Sequence, residues 1–132
     1  MPFVHLTLFN ADASDRDVEA LQHGLTDLMA KPMRKKRELT IVSVETSPAH
    51  VALGGTALAG SEWTGQLTAF VTAGTNTADE KAAFQREAHA LLVQRFGPPA
   101  APLYVIVQEV PGPDWGYGGL SQAARARAVA AA

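Results

Sequence analysis

The residue with the most distinctive chemistry stands second in the chain, which opens Met1-Pro2-Phe3-Val4-His5-Leu6-Thr7-Leu8-Phe9. A start methionine followed by a small residue is a usual target of methionine aminopeptidase. With Met1 removed, the Pro2 nitrogen is a secondary amine, whereas a proline nitrogen inside a chain is a tertiary amide with neither proton nor usable lone pair. A free Pro2 is therefore a compact base or nucleophile. An α-amine starts at a pKa of about 8, and burial beside apolar side chains lowers it by disfavouring the ammonium. The other titratable groups offer less. His5, His23, His50 and His89 lack ligand spacing, so no metal site is expected. Cysteine is absent, which excludes disulfides and thiolate chemistry. Glu45, Glu62, Glu109 and Asp114 are the carboxylates available to activate water.

Pro2 has to be held by a strand, because Val4, Leu6 and Leu8 alternate with Phe3, His5, Thr7 and Phe9. A helix follows. Ser14 and Asp17 have capping-box spacing, and Val18, Leu21, Leu25, Leu28 and Met29 make one apolar face. Lys31-Pro32 ends that helix, since the residue before a proline is pushed out of the helical region. The basic run Arg34-Lys35-Lys36-Arg37 reads as a solvated loop, and the β-branched stretch Leu39–Val44 as a strand. The pattern then starts again. Gln66–Thr72 reads as a strand, Thr77 and Glu80 as a capping box, and Phe84, Ala88, Leu91, Leu92 and Phe96 as a helix face. Gly97-Pro98-Pro99 stops that helix, and Leu103–Val107 reads as the last strand. The halves superimpose without a gap, Glu45 falling on Glu109 and Gly54-Gly55 on Gly118-Gly119.

Two tandem β-α-β units are expected, spanning about residues 2–60 and 65–120 of a single domain (1–132), with a C-terminal tail at 121–132 in which Arg125 and Arg127 read as surface charges. Right-handed parallel crossovers give an α+β fold, a four-stranded mixed sheet with two helices on one face. The other face carries Phe3, His5 and Phe9 and is expected to be buried against further copies of the chain. At 132 residues and 47% hydrophobic there is length for a core. A net charge of −2 points away from nucleic acid and membrane surfaces. No apolar run nears the roughly 18 residues of a membrane span, and the start lacks signal-peptide character, so a cytoplasmic protein is expected.

These residues carry a resemblance to the tautomerase superfamily, the group of 4-oxalocrotonate tautomerase and macrophage migration inhibitory factor. It rests on Pro2 opening a strand, on the two β-α-β units with a Gly-Gly turn closing each, and on Trp115-Gly116-Tyr117-Gly118-Gly119 after the last strand. The resemblance implies a homotrimer whose three sheets form a barrel, with Pro2 as the catalytic group. Ala30-Lys31-Pro32 resembles a Gly-Lys-Pro segment whose lysine meets the substrate carboxylate, which makes Lys31 a candidate for that task. Tyr104 falls where the family has a pocket tyrosine and Trp115 where it has a pocket phenylalanine. The arginines that grip dicarboxylates in the family are missing, for they should fall near Asp12 and at Thr40 or Tyr104.

Together these point to cofactor-independent keto–enol tautomerisation of a small 2-oxo acid. Pro2 is then the general base and Tyr104 donates to the enolate oxygen. Lys31 binds the carboxylate, Phe3 and Trp115 supply apolar walls, and Asp114 is a second acid or base. The competing expectations are a hydratase, dehalogenase or decarboxylase of a three-carbon acid using protonated Pro2, and a non-catalytic ligand-binding or assembly protein.

Overall fold

The structure, a computed structural model, describes residues 2–131; Met1, on whose removal the reading of Pro2 depends, and Ala132 at the end of the tail lie outside the described residues. Strand β1 (Phe3–Phe9) leads into α1 (Asp15–Ala30), which returns the chain to β2 (Ile41–Ser47). The short strands β3 (Ala52–Leu53) and β4 (Thr56–Ala57) pair as a hairpin. The unit is then repeated by β5 (Thr64–Thr72), α2 (Ala78–Phe96) and β6 (Tyr104–Val110). A second hairpin, β7 (Gly116–Tyr117) with β8 (Leu120–Ser121), runs directly into α3 (Gln122–Ala131). The long strands form one mixed sheet in the order β2-β1-β5-β6. Each unit pairs its two strands parallel, and the units join antiparallel through β1 and β5. This is the α+β architecture expected from the sequence.

Local chemistry explains the boundaries. The Ser14 hydroxyl accepts the Asp17 N–H at 3.1 Å while the Asp17 carboxylate accepts the Ser14 N–H at 3.0 Å, satisfying two N-terminal donors of α1 at once. Thr77 and Glu80 do the same for α2, at 3.1 and 2.8 Å. Both hairpins turn on paired glycines in the left-handed region, Gly54 and Gly55 at φ 59° and 81° and Gly118 and Gly119 at 61° and 82°. A two-residue turn with positive φ at both positions matches the twist of the flanking strands, and glycine adopts it without a Cβ clash.

The helices cover one face of the sheet. Val4, Leu6 and Leu8 from β1 and Leu67, Ala69 and Val71 from β5 are buried with Leu21, Leu25 and Met29 of α1 and Phe84, Ala88 and Leu92 of α2. The helices approach closely at Gly24, where a Cβ would come within 2.8 Å of the Leu91 side chain. The opposite face is mixed rather than uniformly apolar. Across it run Ile41, Phe3, Phe70 and Gln108 in one row and Ser43, His5, Thr68 and Ile106 in the next. Phe3 and Ile41 are exposed there, and the Phe3 ring lies 6.3 Å from that of Phe70.

The alternation along β5 makes a direct test. Leu67→Ala, on the covered face, is expected to lower stability by about 2–5 kcal/mol, whereas the adjacent Gln66→Ala, on the other face, should stay within about 0.5 kcal/mol. Urea unfolding at a fixed protein concentration measures both.

Candidate active site

The parallel pairing of β1 with β2 decides where the site lies. Parallel strands begin at the same end of a sheet, so the segment ahead of β2 arrives beside Pro2. Its last link is the Ile41 N–H, which donates to the Pro2 carbonyl at 3.3 Å. On the other flank β5 runs antiparallel with Phe3 opposite Phe70, which brings its final residues, Val71 and Thr72, alongside Pro2. Pro2 is itself fully buried. At this end of the sheet a cleft of about 760 Å³ is lined from both flanks, by Leu39 ahead of β2 and by Thr72 of β5.

The cleft is cationic. Arg34, Lys35, Lys36 and Arg125 line it, with Tyr117, Leu120, Ala126 and Val129 as apolar walls and no Asp or Glu among the described lining residues. The turn after α1 delivers the first three. The Met33 N–H donates to the Leu28 carbonyl at 3.4 Å and the Lys35 N–H to the Met29 carbonyl at 2.8 Å, folding the segment back over the helix end. Arg34 takes a left-handed backbone at φ 55° and reaches α2, where its guanidinium pairs with both carboxylate oxygens of Glu80 and donates to the Thr75 carbonyl at 3.2 Å. This double ligation, with the Thr77 N–H, holds the Glu80 carboxyl well below its ordinary range, at about 2. The Lys35 ammonium donates to the Thr75 hydroxyl at 2.8 Å. Burial, reinforced by the neighbouring Arg34 charge, pushes its pKa below the usual lysine value.

The residues expected from the sequence are distributed unequally. Pro2, Phe3 and Trp115 come to the same end of the sheet. The Trp115 indole N–H donates to the Thr72 hydroxyl at 3.2 Å, so the ring buttresses the strand end that lines the cleft. Phe3 projects from the open face. Asp114 is exposed and borders, with Trp115, a separate depression of about 290 Å³. Lys31 caps α1, its N–H bonded to the Asp27 carbonyl at 2.9 Å, and its exposed side chain is outside the cleft lining. Tyr104 is 69% exposed at the start of β6. It pairs with Gln66, which in turn pairs with Thr7, so within one protomer it stands about 17 Å from Pro2 along the strands.

Two expectations are corrected. The basic run 34–37 is not simply a solvated loop, because three of its four residues line the cleft and the fourth, Arg37, pairs with Asp27. Arg125 is not a plain surface charge, because it is half-buried and lines the same cleft. The first could have been found from the parallel crossover, which places whatever precedes β2 next to the start of β1. Nothing in the local pattern around Arg125 signals its position.

Residues 70–125 match the family model described as "Tautomerase enzyme". Solved structures extend the likeness over nearly the whole chain. A fused 4-OT solved as a wild-type symmetric trimer is 18% identical, covers 93% of this chain and 98% of its own, and superposes with a TM-score of 0.80. The fold is that of the tautomerase superfamily. A macrophage migration inhibitory factor-like protein from Entamoeba histolytica gives 19% identity, 91% and 97% coverage and a TM-score of 0.74. N1, a member of the cis-3-chloroacrylic acid dehalogenase family, gives 18%, 89% and 82%, and 0.71. No curated protein matches in sequence. At these identities the structural likeness is one of fold, and the tautomerase superfamily spans isomerases and dehalogenases as well as MIF-like proteins. No helix among the described residues is long and apolar enough to cross a membrane.

The Arg34–Glu80 pair gives a pH dependence with a definite sign. The Glu80 pKa is depressed on folding, so its contribution is fully present above the ordinary carboxylate value and is lost as pH falls toward about 2. Glu80→Gln keeps the capping geometry but removes the charge. It should therefore lower Tm at neutral pH and flatten the fall of Tm between about pH 5 and pH 2, read by thermal scans across that range.

Proposed function

We propose that this chain is a cofactor-independent keto–enol tautomerase of a small 2-oxo acid, with Pro2 as general base after Met1 removal. The observation that carries the proposal is the cation-lined, carboxylate-free cleft at the Pro2 end of the sheet. Its charge selects an anionic substrate, and its walls of Leu39, Tyr117, Leu120 and Val129 suit a flat, partly apolar body such as that of phenylpyruvate. In ketonisation the Pro2 nitrogen takes the proton of the enol hydroxyl and returns one to C3, so that no atom is gained or lost. Lys35 and Lys36 line the cleft, and their charge is proposed to attract the anionic substrate, the duty expected of Lys31 from the sequence. Burial of Pro2 favours the neutral amine that the reaction needs.

A hydratase or dehalogenase route asks for a carboxylate to activate water. Glu109 is engaged by Lys81 and Asp114 points to another surface, which favours the isomerase. The enzyme is proposed to act as a homotrimer, as the fused 4-OT does. Closure of that ring is proposed to cover the exposed Phe3 and Ile41, and Tyr104, which stands at the opposite end of the sheet from Pro2 within one protomer, is proposed to reach the site from a neighbouring copy.

The test is ultraviolet-monitored ketonisation of phenylpyruvate enol by protein whose intact mass shows Met1 absent. Pro2→Ala should lose at least about a hundredfold in kcat, and an unchanged rate overturns the proposal. Tyr104→Phe should lose about tenfold or more. Mixed trimers refolded from equal amounts of the two variants should recover about a quarter of the wild-type rate, because in a closed ring about one site in four then joins an intact Pro2 to an intact Tyr104. No recovery would place both residues in one subunit's site.

A further inference from the structure

We propose that Arg125, on the C-terminal helix, is a specificity-determining residue that grips the substrate carboxylate, so that α3 is a working wall of the site rather than a tail. The proposal rests on the cleft being the substrate site.

Its first support is placement. The Gln122 N–H that opens α3 donates to the Trp115 carbonyl at 2.9 Å, and the Ser121 hydroxyl accepts the Ala124 N–H at 3.0 Å. Ala123 packs on Gly112, where a Cβ would lie 3.4 Å from its own. Trp115 is bonded in turn to Thr72 of β5. An unbroken chain of contacts therefore fixes the first turn of α3 relative to the sheet end that carries Pro2.

The second support is the state of the guanidinium. It lies over the Tyr117 ring, 3.7 Å from the centroid, and its Nη2 donates to the Tyr117 carbonyl at 2.8 Å. Stacking and one hydrogen bond set the plane of the fork. Its Nε–H is buried without a partner, and among the described residues Arg125 belongs to no ion pair. Of the other cations, Arg34 is neutralised by Glu80, Lys35 already donates to Thr75, and Lys36 is an exposed ammonium with no plane to orient. Arg125 thus supplies an oriented, uncompensated charge to a cleft that contains no acid of its own. A planar, pre-oriented guanidinium recognises a planar carboxylate through paired hydrogen bonds, which an ammonium cannot reproduce.

The experiment is calorimetric titration with two probes of one shape, 3-phenylpropanoate and its uncharged amide, run beside enol kinetics. The wild type should prefer the carboxylate. Arg125→Gln should weaken carboxylate binding about tenfold or more with little effect on the amide, Arg125→Lys should recover only part of that loss, and Arg127→Ala, on the same helix but outside the cleft, should bind as the wild type does. In kinetics the Arg125→Gln loss should fall on KM more than on kcat. Equal carboxylate affinity of Arg125→Gln and wild type, or a wild type that does not distinguish the two probes, overturns the proposal. A lost charge preference with a Pro2→Ala rate equal to wild type would keep Arg125 and reject the tautomerase reading. A Pro2-dependent rate with Arg125→Gln silent in both assays would do the reverse.

Discussion

The structure depends on β1 being paired along both edges, parallel to β2 and antiparallel to β5. One side of this strand, Val4, Leu6 and Leu8, is fully buried under the helices. A slip of one residue would turn that set out of the core, so the register is strongly determined. Pro2 is the next residue on the buried side and inherits that fixity. The first residues of a domain ordinarily fray unless tied down. Here the strand that bears Pro2 lies in the interior of the sheet.

Charge is organised around the same end. The chain is net acidic at −2, yet the cleft gathers four cations and no carboxylate among its described lining residues. That concentration is supported from behind by Glu80, which serves α2 as a capping residue and Arg34 as an ion-pair partner. Glu80 removes one repulsive charge from the cluster and ties the turn after α1 to the start of α2. The remaining cations, Lys35, Lys36 and Arg125, face the space where an anion would sit. A family resemblance carried residue by residue pointed to Lys31 for this duty, but the basic segment here continues past the proline. It folds back through the Lys35–Met29 backbone bond, so that charge reaches the cleft from farther along the chain.

The repeat accounts for the symmetry of the scaffold, and its breakage accounts for the site. Both units have a capped helix, a parallel crossover and a glycine-paired hairpin. They diverge where function is proposed. The first unit opens with Pro2, whereas the corresponding position in the second is Gln66, inside the longer strand β5. The second hairpin continues into α3, whereas the first continues into β5. The cleft lies between the divergent parts, the turn before β2 and the helix after β8.

The sequence by itself determined the strands and helices of the two tandem units, their order and which face of each is buried, but not the helix α3 that follows them. Those properties follow from periodicity, capping boxes, prolines and paired glycines, all of which act over a few residues. It also singled out Pro2, because a proline exposed by removal of Met1 is expected to be a secondary amine, whatever the fold around it. The part played by the run 34–36 was implicit in the parallel crossover but needed the fold to show it. Only the tertiary structure decided that Arg125 reaches the cleft. That placement depends on the Trp115–Thr72 bond and the stacking on Tyr117, contacts between residues distant in sequence or set by a hairpin's exit angle, and no local pattern encodes them. The separation of Tyr104 from Pro2 was likewise settled by strand register, which assigns the two residues to opposite ends of one sheet.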